Sequence, residues 1–304
     1  MAAPFEIILD VDRPEQELRV FADNAFEMVE HLEGQLSAYI PTSDVCWIND
    51  TAFERPARIE PNLFELLKTC RRLYEETNGA FDITVGPLIK AWGFFRREGR
   101  LPEPAELDTA RARIGMEHVR LDDEDHSVRF EKPGIEINLG AVGKGYVVDR
   151  VLEALRRWGV RCALVHSAQS SIGVIGKPPV GDGWRLGVTD PRNPEKALGS
   201  VVLTDSTMST SGNWEQFFKL EGRMYSHIID PKSGQPAQGI LSTTVIGPSA
   251  AVSDALATAF FVMGVERARQ FCEERGDIGA VLLAGDVPEH REIHSWKCIL
   301  EQED

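Results

Sequence analysis

The segment from Arg161 to Ile246 limits the fold most, because it is a succession of short β patterns with no helix-length pattern between them. Regular β-α-β alternation would predict a parallel sheet. Its absence predicts an α+β fold with a largely antiparallel sheet and packed helices. The chain also lacks internal repeats and low-complexity linkers, so we expect residues 1–304 to form a single domain, with two sub-domains as the alternative. The strands predicted in this segment are Cys162–Val165, Ile172–Ile175, Trp184–Val188, Val201–Thr204, Tyr225–Ile229 and Ser242–Ile246.

Helical patterns lie before and after this segment. Apolar residues spread along one stripe of Glu15–Leu36, and Pro61 suits the first turn of a helix that continues to Glu76. The other predicted helices are Pro104–Ile114, Gly145–Trp158, Ala251–Met263 and Val265–Arg275. The remaining predicted strands are Phe5–Leu9, Val119–Leu121, Ser127–Glu131, Ile135–Leu139, Gly279–Leu283 and Glu292–Ser295.

The charge balance excludes some classes of partner. The chain has 33 Lys and Arg against 48 Asp and Glu, a formal net charge of −15. Nucleic-acid binding needs a basic surface, and anionic lipid attracts basic segments, so we expect neither partner. A polyanionic ligand would need a local cation, of which a bound metal is the obvious source.

The cysteines and the N-terminus bear on the compartment. The five cysteines are scattered and form no Cys-x-x-Cys pair, which is typical of reduced thiols rather than of a zinc ribbon. No stretch has the apolar length of a transmembrane helix. The first ten residues lack a basic start and an apolar core, so we expect no signal peptide and a cytoplasmic location, with a removed export signal as the alternative.

A glycine-rich segment, Asn138–Tyr146, joins a predicted β segment to a predicted helix. Glycines allow close approach of the backbone to a ligand, and a helix N-terminus favours an anion. The segment matches neither the P-loop nor the dinucleotide fingerprint. A nucleotide site and an ordinary tight turn therefore both remain open on these residues alone.

Asp254 and Thr258 are one helical turn apart, so they share a face of the predicted helix. A carboxylate and a hydroxyl are hard oxygen donors that suit Mg²⁺, which often completes its coordination with phosphate oxygens. The alternative is that Asp254 interacts with the first turn of its own helix.

Two further segments carry candidate residues. His227 lies near the end of a β pattern, before the turn Asp230–Gly234, and it is either a general base or a structural histidine. The segment Asn78–Asp82, followed by Trp92 and Phe94, is predicted to be a loop that places aromatic rings beside a carboxylate, or simply a packed loop.

These segments, taken in order, resemble the ApbE family, the FAD:protein FMN transferases. The resemblance extends over nearly the whole chain, and it lies in the joint order and spacing of the motifs. The matching segments are Leu36–Tyr39 with Ser43–Asn49, Gly79–Asp82, Leu139–Asp149, Ser209–Gly212, Ser226–Pro231 with Ser233–Gly234, and Ser253–Thr258.

The resemblance implies an ApbE-like, T-fold-like architecture, a Mg²⁺ ion and FAD as substrate. The metal ligands it implies are the backbone carbonyl of Ala141 and the side chains of Asp254 and Thr258. His227 matches a histidine proposed to act on the acceptor hydroxyl. FAD contacts are implied at Tyr39, Ala80, Phe81, Asp82, Asn138 and Lys144.

The family reaction attaches FMN through a phosphoester to a Ser or Thr of an acceptor flavoprotein and releases AMP. Hydrolysis of FAD to FMN and AMP is an alternative, because water can attack the same phosphorus. Ser167–Ser171 departs from the usual Gly-Gly-Asp and contains no glycine, so a non-catalytic FAD-binding protein is a further alternative. Asn138 replaces a common Asp and removes a negative charge. We interpret both departures as marks of a variant subgroup.

Overall fold

A computed structural model describes residues 4–9, 12–191, 193–287, 290–298 and 300–301. None of the helices in these ranges is long and apolar enough to cross a bilayer. The described ranges contain eight α-helices: α1 Glu15–Leu36, α2 Asp44–Thr51, α3 Pro61–Glu76, α4 Gly86–Ala91, α5 Pro104–Arg111, α6 Gly143–Arg157, α7 Ala250–Met263 and α8 Val265–Arg275.

The strands confirm the predicted fold class, α+β with a largely antiparallel sheet. They are β1 Phe5–Leu9, β2 Ala57–Arg58, β3 Val119–Asp122, β4 Ser127–Phe130, β5 Ala163–Ser167, β6 Ser171–Ile175, β7 Trp184–Asp190, β8 Asn193–Leu203, β9 Thr207–Gly212, β10 Phe217–Leu220, β11 Arg223–Ser226, β12 Ile240–Gly247, β13 Gly279–Val287 and β14 His290–Trp296.

The chain divides into two compact units, each made of separate stretches of sequence. The sheet unit comprises Met1–Glu33, Val142–Gly212 and Gly239–Asp304, and the helical unit comprises Gly34–Ala141 and Asn213–Gln238. The expectation of a single domain stays a prediction.

The sheet unit is built on seven strands in the order β1-β5-β6-β9-β12-β13-β14, and every pairing is antiparallel. Helices α6, α7 and α8 pack on one face. The hairpin β7–β8 covers the other face, where Leu164, Ile172 and Met208 of the sheet meet Val188 and Val201. Burial on both faces explains why these strands are apolar on both sides rather than alternating with polar residues.

Helices α6 and α7 approach each other closely at Gly145. A Cβ built there would lie 2.1 Å from the carbonyl oxygen of Ala250. The sequence interpretation linked the glycines of this segment to a ligand, whereas the structure gives Gly145 a packing reason.

The helical unit has its core along α3. Glu60 caps α3 by accepting a hydrogen bond from Leu63 N–H at 3.0 Å, and Pro61 follows in the first turn. A three-stranded sheet of order β2-β4-β3 and the hairpin β10–β11 complete the unit. The buried apolar residues of α3 are Leu63, Phe64, Leu66, Leu67, Cys70 and Leu73.

Several predicted elements differ from the structure. Ile135–Leu139 is not a strand, and only Glu136 forms an isolated bridge, to Val85. The donors of this segment are used elsewhere, because Ile137 N–H donates to the Asn49 side chain and Asn138 N–H to the carbonyl of Ile83. The third predicted helix ends at Arg111, and β11 ends at Ser226. Helices α2 and α4 and strands β2, β9 and β10 were not predicted.

Candidate functional site

The helical unit contains a cleft that we call the aromatic cleft. It has a volume of about 340 Å³ and is lined by Tyr39, Cys46, Lys90, Phe95, Glu136 and Asn138, among other residues. Tyr39 is 60% exposed, and its ring stacks on Phe95 with 4.5 Å between centroids. Two of the residues implied in FAD contacts, Tyr39 and Asn138, thus lie in one cleft. Phe95 was not singled out from the sequence.

Asn138 shapes the turn that leads to α6. Its side-chain Oδ1 accepts a hydrogen bond from Gly140 N–H at 2.8 Å, as in an Asx turn. The preceding residue, Ile137, is held on both backbone groups by Asn49, at 2.7 and 3.0 Å. An Asn can make this pair of bonds and a carboxylate cannot, because only the amide also donates. Asn49 lay in a matching motif, but no role was predicted for it.

Ala80, Phe81 and Asp82 do not line the aromatic cleft. Ala80 and Phe81 are 8% and 1% exposed, so their side chains belong to the core. Asp82 Oδ1 accepts hydrogen bonds from the backbone and the hydroxyl of Thr84, at 2.8 and 2.7 Å. Asp82 lines a separate cleft of about 570 Å³ in the same unit. FAD contacts at these three residues stay a prediction.

Burial alters the acidity of Asp82. Removal from water raises the pKa of this carboxyl to about 6, although hydrogen bonds from Thr84 act in the opposite direction. Asp82 and Thr84 also fix the neighbouring backbone, because the Thr84 hydroxyl accepts from Gly115 N–H at 2.7 Å. These contacts are those of a residue that organises the loop.

His227 follows directly after β11, at a strand end as predicted. Its backbone N–H donates to the carbonyl of Gln216 at 3.0 Å, and its ring Nδ1 lies 3.1 Å from the same oxygen. A carbonyl can only accept, so Nδ1 carries the hydrogen and the lone pair of the neutral ring is on Nε2. Gln216 is held in turn by the carbonyl of Phe94, at 2.9 Å.

The turn after His227 is held from both sides. Asp230 accepts hydrogen bonds from the backbone N–H groups of Lys232 and Ser233, at 3.0 and 3.2 Å. The Trp92 indole donates to the carbonyl of Gly234 at 2.8 Å. Gly234 has φ 72°, which glycine adopts without cost.

In the sheet unit, Lys144 lies in the first turn of α6. Its Nζ donates to the Ser170 hydroxyl at 2.6 Å. The N-cap residue, Val142, has an apolar side chain and therefore caps none of the first backbone N–H groups of α6. The start of α6 therefore combines the partial positive charge of a helix N-terminus with an ammonium group, an arrangement that favours anions.

Asp254 is 3% exposed, and its Oδ2 accepts a hydrogen bond from Gly145 N–H in the first turn of α6, at 3.0 Å. This hydrogen bond joins Asp254 to α6. The first turn of its own helix, α7, is capped by Ser249, the N-cap residue, and by Asp149, which accepts from Ala250 and Ala251 N–H. The metal-binding role of Asp254 stays a prediction.

Thr258 lies one turn after Asp254, and its Oγ1 is 3.3 Å from the Ser211 hydroxyl on β9. The sheet unit thus presents a carboxylate and a hydroxyl from one helix, as predicted. Ala141, the third implied metal ligand, is the last residue of a stretch assigned to the helical unit. The described residues hold no group of three or more His, Cys, Asp or Glu that could bind a metal ion.

Three serines form what we call the hydroxyl row: Ser167, Ser171 and Ser209, which pair directly across β5, β6 and β9. Directly paired residues share a face of a sheet. Gly173, two residues beyond Ser171, would place a Cβ 2.4 Å from Leu152 of α6, so this is the helix-covered face. All three hydroxyls are buried, and none has a hydrogen-bond partner in the described part of the chain.

Buried hydroxyls are normally hydrogen-bonded, so three without partners in one row need an explanation such as a bound ligand. No role was predicted from the sequence for these three serines. The signal available was the run of small hydroxyl residues in Ser167–Ser171 and Ser209–Ser211.

The turn between β5 and β6 keeps a glycine-like backbone without a glycine. Ala168 and Gln169 have φ 49° and 57°, and Ser170 N–H donates to the Ser167 carbonyl at 3.0 Å. Two successive positive φ values are typical of a type I′ turn. The turn therefore adopts a left-handed backbone at two residues that are not glycine, at the cost of strain.

Comparisons with known proteins identify the family of the chain. The model of the ApbE family matches residues 1–282. The FAD:protein FMN transferase of Escherichia coli (strain K12) is 30% identical over 270 residues, which cover 84% of this chain and 76% of that protein. The enzyme of the same name from Vibrio cholerae serotype O1 is 31% identical over 250 residues, which cover 81% of this chain and 74% of that protein.

Solved structures share the fold. The ApbE protein from Thermotoga maritima superposes with a TM-score of 0.85 at 27% identity, with 97% of each chain covered. Apo flavinyl transferase ApbE from Pseudomonas stutzeri superposes with a TM-score of 0.82 at 28% identity, covering 97% of this chain and 95% of that one.

Proposed function

This chain belongs to the ApbE family, and from that premise we propose that it transfers FMN from FAD to a Ser or Thr hydroxyl of an acceptor flavoprotein and releases AMP. Relatives at 30% and 31% identity carry the name FAD:protein FMN transferase, which supports the assignment. A cytoplasmic location is part of the proposal and follows only from the sequence pattern.

The observation that carries the proposal is the hydroxyl row. Three buried hydroxyls without partners in the described part of the chain lie on the helix-covered face of the sheet. The hydroxyl of Ser170, the residue before Ser171, accepts a hydrogen bond from the Lys144 ammonium. A phosphate group offers several acceptor oxygens, which hydroxyls and an ammonium can satisfy together. We therefore assign this region of the sheet unit to the phosphates of FAD.

The residues present also fit a Mg²⁺ ion. Asp254 and Thr258 offer two hard oxygen donors, and the resemblance adds the carbonyl of Ala141. A site with one carboxylate leaves coordination positions for phosphate oxygens. When bound, the ion would supply charge neutralisation on the pyrophosphate. It would also offset repulsion between the phosphates and the Asp254 carboxylate.

His227 is suited to the proton transfer. In the proposed step, the acceptor oxygen forms a bond to the FMN phosphorus and the bond from that phosphorus to the AMP oxygen breaks. The hydroxyl proton passes to His227 Nε2, and AMP leaves with the bridging oxygen. The contact with the Gln216 carbonyl supports this role, because it places the ring hydrogen on Nδ1.

Two alternatives differ in their products. Water in place of the acceptor would give free FMN and AMP, and no described residue distinguishes the two outcomes. A non-catalytic FAD-binding protein was suggested by the missing Gly-Gly-Asp. Ala168 and Gln169 adopt positive φ values without glycine, so the missing glycines do not by themselves favour a binding protein.

The test is chromatographic measurement of AMP released from FAD, with Mg²⁺ or with EDTA. An acceptor flavoprotein domain with one Thr is added, beside the same domain with that Thr replaced by Val. Mg²⁺-dependent AMP release with flavin retained on the denatured Thr domain alone is expected. AMP with only free FMN would establish hydrolysis instead, and bound FAD without AMP would establish the binding protein.

A further inference from the structure

The aromatic cleft contains a pair of stacked rings at its surface. Tyr39 and Phe95 have 4.5 Å between centroids and 21° between planes. Tyr39 is 60% exposed, and Phe95 is half-buried. A pair that serves only packing would be expected in the core, whereas this pair lies on the wall of a cleft of about 340 Å³. Aromatic rings on the wall of a cleft suit a planar ligand ring.

Phe95 lies on a short segment with a fixed anchor. A single 3₁₀ turn, Phe94–Arg96, is flanked by Gly93 and Arg97, which both have left-handed backbones at φ 76° and 58°. Phe94 is buried, and its carbonyl accepts from Gln216 at 2.9 Å. The buried Phe94 side chain therefore anchors the turn, and the neighbouring Phe95 side chain lines the cleft.

Polar groups also line the same cleft. The Lys90 ammonium is 5.3 Å from the centroid of the Phe95 ring and forms an ion pair with Glu136. Asn138 and Glu136 also line the cleft. A cleft that combines aromatic rings with charged and hydrogen-bonding groups suits the isoalloxazine ring, which is planar and carries hydrogen-bonding groups along one edge.

We propose that Phe95 forms the second wall of a slot that holds the isoalloxazine ring of FAD between Phe95 and Tyr39. This inference rests on the proposed function and adds a residue that the family resemblance did not supply. A third ring needs about 3.5 Å on each side, so the two rings must separate from 4.5 Å to about 7 Å. Rotation of the Phe95 side chain provides this movement while Phe94 stays anchored.

The test is the affinity of the full chain for FAD, FMN and riboflavin, followed by quenching of flavin fluorescence. ADP, which lacks the flavin ring, is titrated by calorimetry. The variants are Phe95→Ala and Phe95→Trp, with Phe53→Ala as the matched control, because Phe53 is 39% exposed in the same unit and does not line the cleft.

Phe95→Ala is expected to weaken binding of all three flavins by roughly tenfold, in line with the loss of one aromatic stacking contact. ADP affinity should not change. Phe95→Trp should retain flavin affinity, and Phe53→Ala should behave as the wild type.

Unchanged or tighter flavin binding by Phe95→Ala would exclude the second wall, since a ring that merely covers Tyr39 would compete with the ligand. The proposed function would survive that result as long as the wild type binds FAD. A wild-type chain that does not bind FAD would overturn both.

Discussion

Asp254 accepts a hydrogen bond from Gly145 N–H at 3.0 Å, so a carboxylate of α7 lies at the N-terminus of α6. Both residues come from segments that the sequence analysis treated separately. The contact joins the glycine-rich segment to the predicted metal-binding helix within the sheet unit, and it uses the Oδ2 atom of Asp254.

Asp254→Asn separates charge from shape. The amide oxygen can still accept from Gly145 N–H, so we expect a folded protein with little change in melting temperature. Loss of the carboxylate should lower Mg²⁺-dependent AMP release by at least about 100-fold, because the proposed ion loses its one charged ligand. Calorimetric titration with Mg²⁺ and FAD would check the cause. Full Mg²⁺-dependent activity in this variant would contradict the metal assignment.

His227→Ala should leave FAD binding intact and slow transfer by about 10²- to 10⁴-fold, the usual contribution of a general base. The measurement is the dissociation constant for FAD together with the single-turnover rate of flavin attachment. Asp230→Asn is a useful companion, because the amide oxygen can still accept from the turn that follows His227. We expect near-normal transfer by that variant. Normal transfer by His227→Ala would remove the proton-transfer role.

Gly145→Ala should destabilise the fold by about 2 kcal/mol or more, because the added Cβ would lie 2.1 Å from the Ala250 carbonyl oxygen. Gly34→Ala, in α1, is the control. No atom lies within 4 Å of its added Cβ, and alanine favours a helix by about 1 kcal/mol, so this variant should be neutral or more stable. The midpoints of denaturant unfolding would measure the stability of both variants relative to the wild type. Equal stability of the two variants would contradict the close packing of α6 on α7.

Ala168→Gly should stabilise the protein by about 0.5–1 kcal/mol. It relieves a left-handed backbone at φ 49°, and this gain exceeds the added flexibility of the unfolded chain. Gln169→Gly, at φ 57°, should act likewise. Ala163→Gly, in β5, should instead destabilise, because glycine is disfavoured in strand interiors. Thermal and denaturant unfolding would measure all three. A loss of stability in Ala168→Gly would show that the turn is not strained.

Asp82 should make stability depend on pH in a defined window. Its folded pKa is about 6 and its unfolded value is near 3.8, so the native state binds more protons between these pH values. Stability therefore falls as pH rises from about 4 to 6, by about 2–3 kcal/mol at most. Asp82→Asn keeps the Thr84 hydrogen bonds and removes this dependence. Unfolding curves at four pH values should show the stability of Asp82→Asn rising relative to that of the wild type as the pH increases to 6. A difference in stability that does not change with pH would contradict the shifted pKa.

The sequence predicted the elements whose physics is local. Helices such as Pro61–Glu76 and Val265–Arg275 were located to the residue, because apolar spacing is set by near neighbours in the chain. In the first of them a proline in the first turn and the capping residue Glu60 add to this local signal. The strand predicted at Ile135–Leu139 is absent for the opposite reason. Its apolar residues are buried, but its backbone donors bind Asn49 and Ile83, which are remote in sequence.

The candidate residues divide in the same way. Their identities and the one-turn spacing of Asp254 and Thr258 can be read from the sequence, and the ordered motifs established the family. Tertiary structure alone decided that Asp254 meets Gly145 and that Ser167, Ser171 and Ser209 align. It also decided that Phe95 meets Tyr39, whereas Asp82 lines another cleft. Local preference fixes which backbone a segment adopts, but strand register and helix packing, set by burial of the whole core, fix which side chains meet.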